Sequence, residues 1–221
     1  MTVIAIDGPA GSGKSTVARL VARRLGYVYL DTGAMYRTVA YLALKDGVAV
    51  DDAASLSAVT RSAHIAFTPD GKVEARDLDV TEEIRRPSVS AAVSEVSAHA
   101  RVRELLVDEQ RRLAEGADVV MEGRDIGTVV FPDARVKVFL TARPEVRAER
   151  RRKELVAKGE HTSLDETQAA IEARDTYDST RAVAPLVKAP DAMELDTSDM
   201  TIEEVVAAVE RLVRDGSGED V

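Results

Sequence analysis

The sequence predicts an α/β fold, a five-stranded parallel sheet flanked by helices, and three observations carry that prediction. Five short apolar runs occupy residues 2–6, 28–30, 119–121, 136–140 and 193–195. Helical patterns separate them, so the order reads β-α-β repeatedly and buries the strands on both faces. The first run, moreover, feeds a glycine-rich turn that opens directly into a helix.

Thr2-Val3-Ile4-Ala5-Ile6 suits a buried strand, and the turn after it reads Gly8-Pro9-Ala10-Gly11-Ser12-Gly13-Lys14-Ser15-Thr16. Gly8 to Ser15 satisfies the pattern G-x-x-x-x-G-K-[ST]. Val17, Leu20, Val21 and Leu25 then recur as the inner face of a helix, and Gly26 reads as its stop. Glycines let backbone N–H groups point inward together, and the helix start adds partial positive charge. Lys14 can reach the β- and γ-phosphates of a nucleotide, while the Ser15 hydroxyl can ligate Mg²⁺. A flexible glycine-rich turn is the alternative. Four fixed positions between a strand and a helix favour a nucleoside triphosphate site on a P-loop NTPase fold.

Between the second and third strands lies a long excursion, residues 34–117. It opens with a helix over 34–45, and Asp51 or Asp52 starts another. Ile65-Ala66-Phe67, Pro69-Asp70-Gly71 and Val73 resemble a hairpin, and two helical stretches follow before and after about Ala98. The segment is too long for a simple crossover and predicts an inserted subdomain facing the phosphate loop.

The third strand ends in Glu122-Gly123-Arg124-Asp125. In open parallel sheets the ligand crevice lies at the C-terminal strand ends, so Arg124 reads as functional. After the fourth strand, Pro144 takes a first helical position. Residues 143–181 form two helices joined at Gly159-Glu160-His161, carrying Arg143, Arg147, Arg150, Arg151, Arg152, Arg174 and Arg181. Arg147 and Arg152 are expected on a solvated face, paired with Glu145, Glu149 or Glu154. Arg150 and Arg151 suit the equatorial oxygens of a phosphoryl transition state, under a hairpin that closes and excludes water. Ser163 to Glu166 and Thr201 to Glu204 both match a capping box. The last helix is expected to bury Ile202, Val205, Val206, Val209, Leu212 and Val213, ahead of a frayed tail at Gly216–Asp220.

The bulk numbers narrow the function. At 221 residues and 45% apolar content, the chain predicts one domain with a mobile appendage. A net charge of −9 argues against a nucleic-acid or membrane surface. There is no cysteine, so thiol catalysis, disulfides and Cys-based zinc sites are excluded. No run reaches the ~20 residues of a membrane span, and no signal peptide is expected ahead of the first strand. The natural reading is a cytoplasmic enzyme. His64, His99 and His161 are scattered and receive no role.

With these residues in hand, the chain resembles the bacterial cytidylate kinases over nearly its full length. Four blocks carry the resemblance: Ile6–Thr16, Leu30-Asp31-Thr32-Gly33-Ala34-Met35-Tyr36-Arg37, Gly123–Ala134, and Arg181-Ala182-Val183-Ala184-Pro185-Leu186. The resemblance implies transfer of the γ-phosphoryl group of ATP to CMP or dCMP, with Mg²⁺. It implies a core over 1–33 and 118–221, a nucleoside-monophosphate-binding subdomain over 34–117, and a helical lid over 144–181. Carried over by position, Thr32, Tyr36, Arg37 and Arg124 contact the acceptor phosphate, with Arg181 near it. Ser94, Arg103 and Asp125 read cytosine, and Arg174 and Asp178 hold the ribose. Lys14, Arg124, Arg150 and Arg151 are the expected catalytic groups. Thr32 stands where the family often has Ser, and Glu122 where Asp is common.

No catalytic base is evident, and none is required. A phosphate with a second pKa of about 6 is already ionised at pH 7. The chain is expected to act as a monomer on small nucleotides, without nucleic-acid or membrane partners. Rival readings are a UMP/CMP, adenylate or shikimate kinase, or a nucleotide-dependent switch. Against the switch, the chain has no Asn-Lys-x-Asp guanine-reading motif.

Overall fold

Val3–Asp7 (β1) is buried at every position, as a strand covered on both faces must be. A computed structural model describes residues 1–68, 71–157 and 159–215. β1 leads through the glycine-rich turn into α1 (Lys14–Leu25), then β2 (Val28–Asp31) and α2 (Thr32–Lys45). The expected helix at 34 thus begins two residues earlier, because the Asp31 side chain accepts the Ala34 N–H and caps it. α3 (Ala53–Arg61) starts at Asp52, whose carboxylate accepts from the Ala54 and Ser55 N–H groups.

The hairpin is present as β3 (Ala66–Phe67) against β4 (Val73–Ala75), and β5 (Leu78–Asp79) adds a third antiparallel strand that the periodicity does not announce. Of its predicted turn, Pro69 and Asp70 lie outside the described residues. α4 (Pro87–Ala98) and α5 (Ala100–Ala114) flank His99. β6 (Val119–Gly123) ends in a π-helical turn over Ile126–Val130, and β7 (Val136–Thr141) follows. α6 (Pro144–Ala157) and α7 (Leu164–Thr180) pack as a hairpin, then β8 (Met193–Asp196) and α8 (Ile202–Asp215) complete the chain. The tail at 216–220 lies outside the described residues.

The five-stranded sheet has the order β2-β6-β1-β7-β8, with parallel ladders joining β1 to β6 and β7, and β7 to β8. On one face, Ile4, Ile6, Val120, Val138 and Leu140 pack against Val17 and Val21 of α1 and Val205, Val206 and Val209 of α8. Each such side chain contributes about 1.5–3 kcal/mol when fully buried. Ile202 departs from expectation and is 51% exposed, because this core does not reach the first residue of α8. Leu212 is only partly buried.

The chain divides into two compact units, Met1–Tyr29 with Gly116–Val221, and Leu30–Glu115. The second has its own core, in which Met35, Val39 and Leu42 of α2 pack with Leu56, Ile84, Val93 and Leu106. Among the described residues, no helix is long and apolar enough to cross a membrane.

Candidate active site

The glycines at the β1–α1 turn are fixed by what surrounds them. Gly8 has φ 148°, and a Cβ there would lie 2.0 Å from the Leu140 carbonyl oxygen of β7. Gly11 has φ 73°, and its Cβ would meet the Arg147 carbonyl oxygen at 2.9 Å. No other residue fits either position without moving backbone. Lys14 lies buried across the loop, its Nζ donating to the Pro9 carbonyl at 2.6 Å and to Ser12 Oγ at 3.4 Å. Burial, then the neighbouring Arg124 charge, pull its ammonium down to about 7. A polyanion placed at Lys14 removes that cost.

Two carboxylates flank the loop. Asp7, at the end of β1, accepts from the Ile126 and Gly127 N–H groups at 2.9 and 2.8 Å and so ties the π-helical turn to the sheet. Burial pushes its carboxyl up to about 6 despite those two bonds. Glu122, on β6, accepts from Ser15 Oγ at 2.9 Å through one oxygen and from the Tyr29 hydroxyl through the other.

The loop is also held from outside. Ala10 N–H donates to Asp175 Oδ1 at 3.0 Å, and Ala10 C=O accepts from Arg147 Nη1 at 3.0 Å. Arg147 pairs with Asp175 and donates through Nε to the Ala142 carbonyl at 3.0 Å. The expectation of a solvated Arg147 is therefore wrong: its side chain is buried and bridges α6, α7 and the phosphate loop. The residues three and four positions away are Arg143, Pro144, Arg150 and Arg151, so its own helix supplies no acid. Arg152 does pair along the helix, with Glu149. We expect Asp175→Asn, which keeps an acceptor for Ala10 but removes the charge facing Arg147, to lower stability by about 1.5–3 kcal/mol. Urea unfolding measures this, and an unchanged midpoint would leave the clamp without energetic weight.

Arg150 and Arg151 part company. Arg150 donates to Thr197 Oγ1 at 2.9 Å and to its carbonyl at 2.6 Å. The Thr197 hydroxyl in turn lies 3.3 Å from the Ser12 carbonyl oxygen, which places Arg150 against the phosphate loop. Arg151 pairs with Glu154 one turn on.

The candidate residues after β6 and on α7 converge. Asp178 is buried and accepts from Arg124 Nε at 2.9 Å. Arg174 Nε lies 4.0 Å and Arg181 Nη1 3.9 Å from the same carboxylate. Arg181 Nη2 also reaches Asp125 Oδ1 at 3.9 Å. Three guanidiniums around two buried carboxylates form a cluster with one net positive charge, which favours an anionic group.

The second unit gathers the remaining candidates. Thr32 is buried in the first turn of α2. Arg37 Nη2 donates to Asp31 Oδ2 at 2.8 Å, and Arg85 lies 3.9 Å from the same oxygen. Burial raises the Asp31 carboxyl, but Arg37, the Ala34 N–H and Arg85 outweigh it and hold the group below its ordinary value. The Arg103 guanidinium stacks 5.2 Å from the centre of the Tyr36 ring and donates to the Ser97 carbonyl at 3.1 Å. Ser97 Oγ donates to the Ser94 carbonyl at 2.9 Å, which links Ser94 on α4 to Arg103 on α5.

Sequence reasoning passed over Tyr29, Asp175 and Thr197, and read Arg147 as surface. None of them carries a local motif.

Comparison with known proteins follows the same lines. The family model described as cytidylate kinase matches residues 4–215. A cytidylate kinase of Geobacter sulfurreducens is 50% identical over 216 residues, covering 96% of this chain and 93% of its own. One from Enterococcus faecalis is 50% identical over 214 residues, covering 96% and 95%. One from Pelotomaculum thermopropionicum is 51% identical over 220 residues, covering 98% and 97%. Among solved structures, an uncharacterised protein from Eubacterium ventriosum superposes with a TM-score of 0.51 at 11% identity, covering 99% of this chain and 100% of its own. That likeness speaks for the fold alone.

Proposed function

This chain belongs to the cytidylate kinase family, and from that membership we propose that it transfers the γ-phosphoryl group of ATP to CMP and dCMP, giving the diphosphate and ADP. The observation that carries the reading at the level of the site is the Arg124–Asp125–Arg174–Asp178–Arg181 cluster, in the same unit as the phosphate loop. One element is suited to a donor triphosphate and the other to an anionic acceptor.

In this reading Gly8, Pro9, Ala10, Gly11, Ser12, Gly13, Lys14, Ser15 and Thr16 cradle the ATP phosphates. Lys14, Arg124, Arg150 and Arg151 neutralise charge on the transferring group, Arg151 after leaving Glu154. Thr32, Tyr36, Arg37, Arg124 and Arg181 hold the acceptor phosphate. Ser94, Arg103 and Asp125 read cytosine, whose exocyclic amine donates to a carboxylate and whose ring acceptors take bonds from arginine and serine. Arg174 and Asp178 hold the ribose. Residues 34–117 serve as the acceptor-binding subdomain, and 144–181 as a lid that excludes water from the transfer.

Kinases of this family use ATP with a divalent metal, and we take Mg²⁺ as that ion. Ser15 and Glu122 fit it: a hydroxyl and a buried carboxylate stand side by side at the loop. Among the described residues no cluster of three or more His, Cys, Asp or Glu forms a cage, which suits an ion that draws most of its ligands from phosphate and water. Bound there, Mg²⁺ supplies charge neutralisation to the phosphates. The chain's own part is positioning and electrostatics. The acceptor oxygen is already ionised, so no side chain has to remove a proton. The same reading has the enzyme act as a cytoplasmic monomer.

The direct test is ADP formation with CMP, dCMP, UMP and AMP as acceptors. CMP should stimulate turnover most strongly, and stimulation by UMP or AMP instead would sink the specificity. Asp125→Asn should lower the ratio of kcat/KM for CMP over UMP by about tenfold, the loss of one charge-assisted bond of about 1.5 kcal/mol. An unchanged ratio would remove Asp125 from base reading.

A further inference from the structure

Tyr29 closes a ring of contacts that the phosphate-binding motif does not require. Its hydroxyl donates to Glu122 Oε1, while Ser15 Oγ donates to Glu122 Oε2 at 2.9 Å. The Arg19 guanidinium covers the Tyr29 ring at 5.3 Å from its centre. Ser15 and Arg19 are four residues apart on α1, hence on the same helix face. The path therefore runs from α1 through Ser15 to β6, through Glu122 to Tyr29 on β2, and through Arg19 back to α1. Glu122 itself is 4% exposed, with both carboxylate oxygens engaged by donors that α1 anchors.

A free glutamate carries three rotatable bonds, and fixing such a side chain costs about 1.5–2 kcal/mol. Here the cost is met on folding. We propose that Tyr29 is a positioning residue for the phosphoryl transfer, holding Glu122 in the rotamer in which the Ser15–Glu122 pair meets the divalent cation of the bound nucleotide. The inference rests on the proposed kinase reading and on Ser15 and Glu122 as the protein's share of the cation site. The phenol is the right group for the task. Its O–H donates to a carboxylate without adding charge, and its ring is clamped by a cation–π contact rather than left free on the edge of the sheet. Partners that orient a ligating group change metal affinity by about 10–100-fold when removed.

Tyr29→Phe tests this cleanly, since it keeps the ring and the Arg19 contact and removes only the hydroxyl. The measurement is the calorimetric Kd of β,γ-methylene-ATP in EDTA and in excess Mg²⁺, whose ratio is the gain due to the metal. In Tyr29→Phe that ratio should fall about tenfold, with the Kd in EDTA unchanged. Glu122→Gln, measured alongside, should lower the ratio at least as far. A ratio unchanged in Tyr29→Phe but lowered in Glu122→Gln overturns the role of Tyr29 and leaves the cation site standing. A ratio unchanged in both removes the cation site, and the inference with it. Equal weakening in EDTA and Mg²⁺ would mark Tyr29 as a structural residue and would also overturn the proposal.

Discussion

Replacing Lys14 with methionine is expected to lower kcat by about 10³-fold, because one aimed charge in a water-poor site is worth that much to a phosphoryl transition state. The substitution keeps the chain length and removes the buried ammonium. Stability of the nucleotide-free protein should not fall, since burial already works against the charge. The displaced value, about 7, gives the prediction a second readout. At pH 8 Lys14 is mostly neutral in the free protein, and the phosphates of bound ATP restore its ammonium. Binding should therefore take up close to one proton per site at pH 8, and a much smaller fraction at pH 6, where Lys14 is already charged. Calorimetric titration in two buffers of unequal ionisation heat counts those protons. Lys14→Met should abolish the uptake. Near-normal turnover in that variant, or the same proton count, would take Lys14 out of the transfer.

The phosphate loop and the five strands were legible because their signals are local. A glycine pattern, an apolar run or a capping box lies within a few consecutive residues, and Gly26, Ser163 and Thr201 end or start helices where their chemistry says they should. What escaped depends on residues far apart in the chain. Ala10 meets Asp175 across 165 positions, and Arg147 meets Asp175 across 28. No periodicity brings such pairs to notice. Arg147 shows where a local pairing rule stops. Arg151 and Arg152 each have a glutamate three residues away on α6 and use it, whereas Arg147 has none and turns into the protein. The lack of such an acid does not by itself foretell burial, since Arg19 and Arg23 on α1 have none at i±3 or i±4 and are exposed. Tyr29 offers no sign either, since a tyrosine in a strand is ordinary until the carboxylate above it is known. Among the candidates carried over from the family, the five around Asp178 are spread over 58 residues, from Arg124 to Arg181. Their convergence is a property of the fold, in which the turn after β6 and the end of α7 come together.

Asp178→Asn should combine a large loss of stability with a large loss of activity, and the two should respond differently to anions. The carboxylate is buried among Arg124, Arg174 and Arg181, with side-chain exposure of 5% against 4% for Arg181. Removing its charge leaves three guanidiniums with Asp125, beside Arg181, as the remaining carboxylate, at a cost of about 3 kcal/mol. Denaturant unfolding reads that directly. Added inorganic phosphate should restore part of the loss, because an anion seated among the arginines replaces the missing charge. The wild-type protein should gain less from the same addition. Activity should not recover in parallel. Arg124 is oriented through its Nε bond to Asp178, and in the proposed reading the guanidinium so held meets the acceptor phosphate. Losing that anchor displaces the donors from the transferring group, and a shift on the order of 1 Å costs about 10²-fold in rate. We therefore expect kcat/KM for CMP to fall about 10²-fold, with KM for ATP little changed. A variant whose stability and CMP kinetics both stay within twofold of wild type would show that the arginines hold themselves without Asp178. Recovery of stability by phosphate without recovery of rate would show that Asp178 does more for CMP than balance charge, through its bond to Arg124 and its proposed place at the ribose.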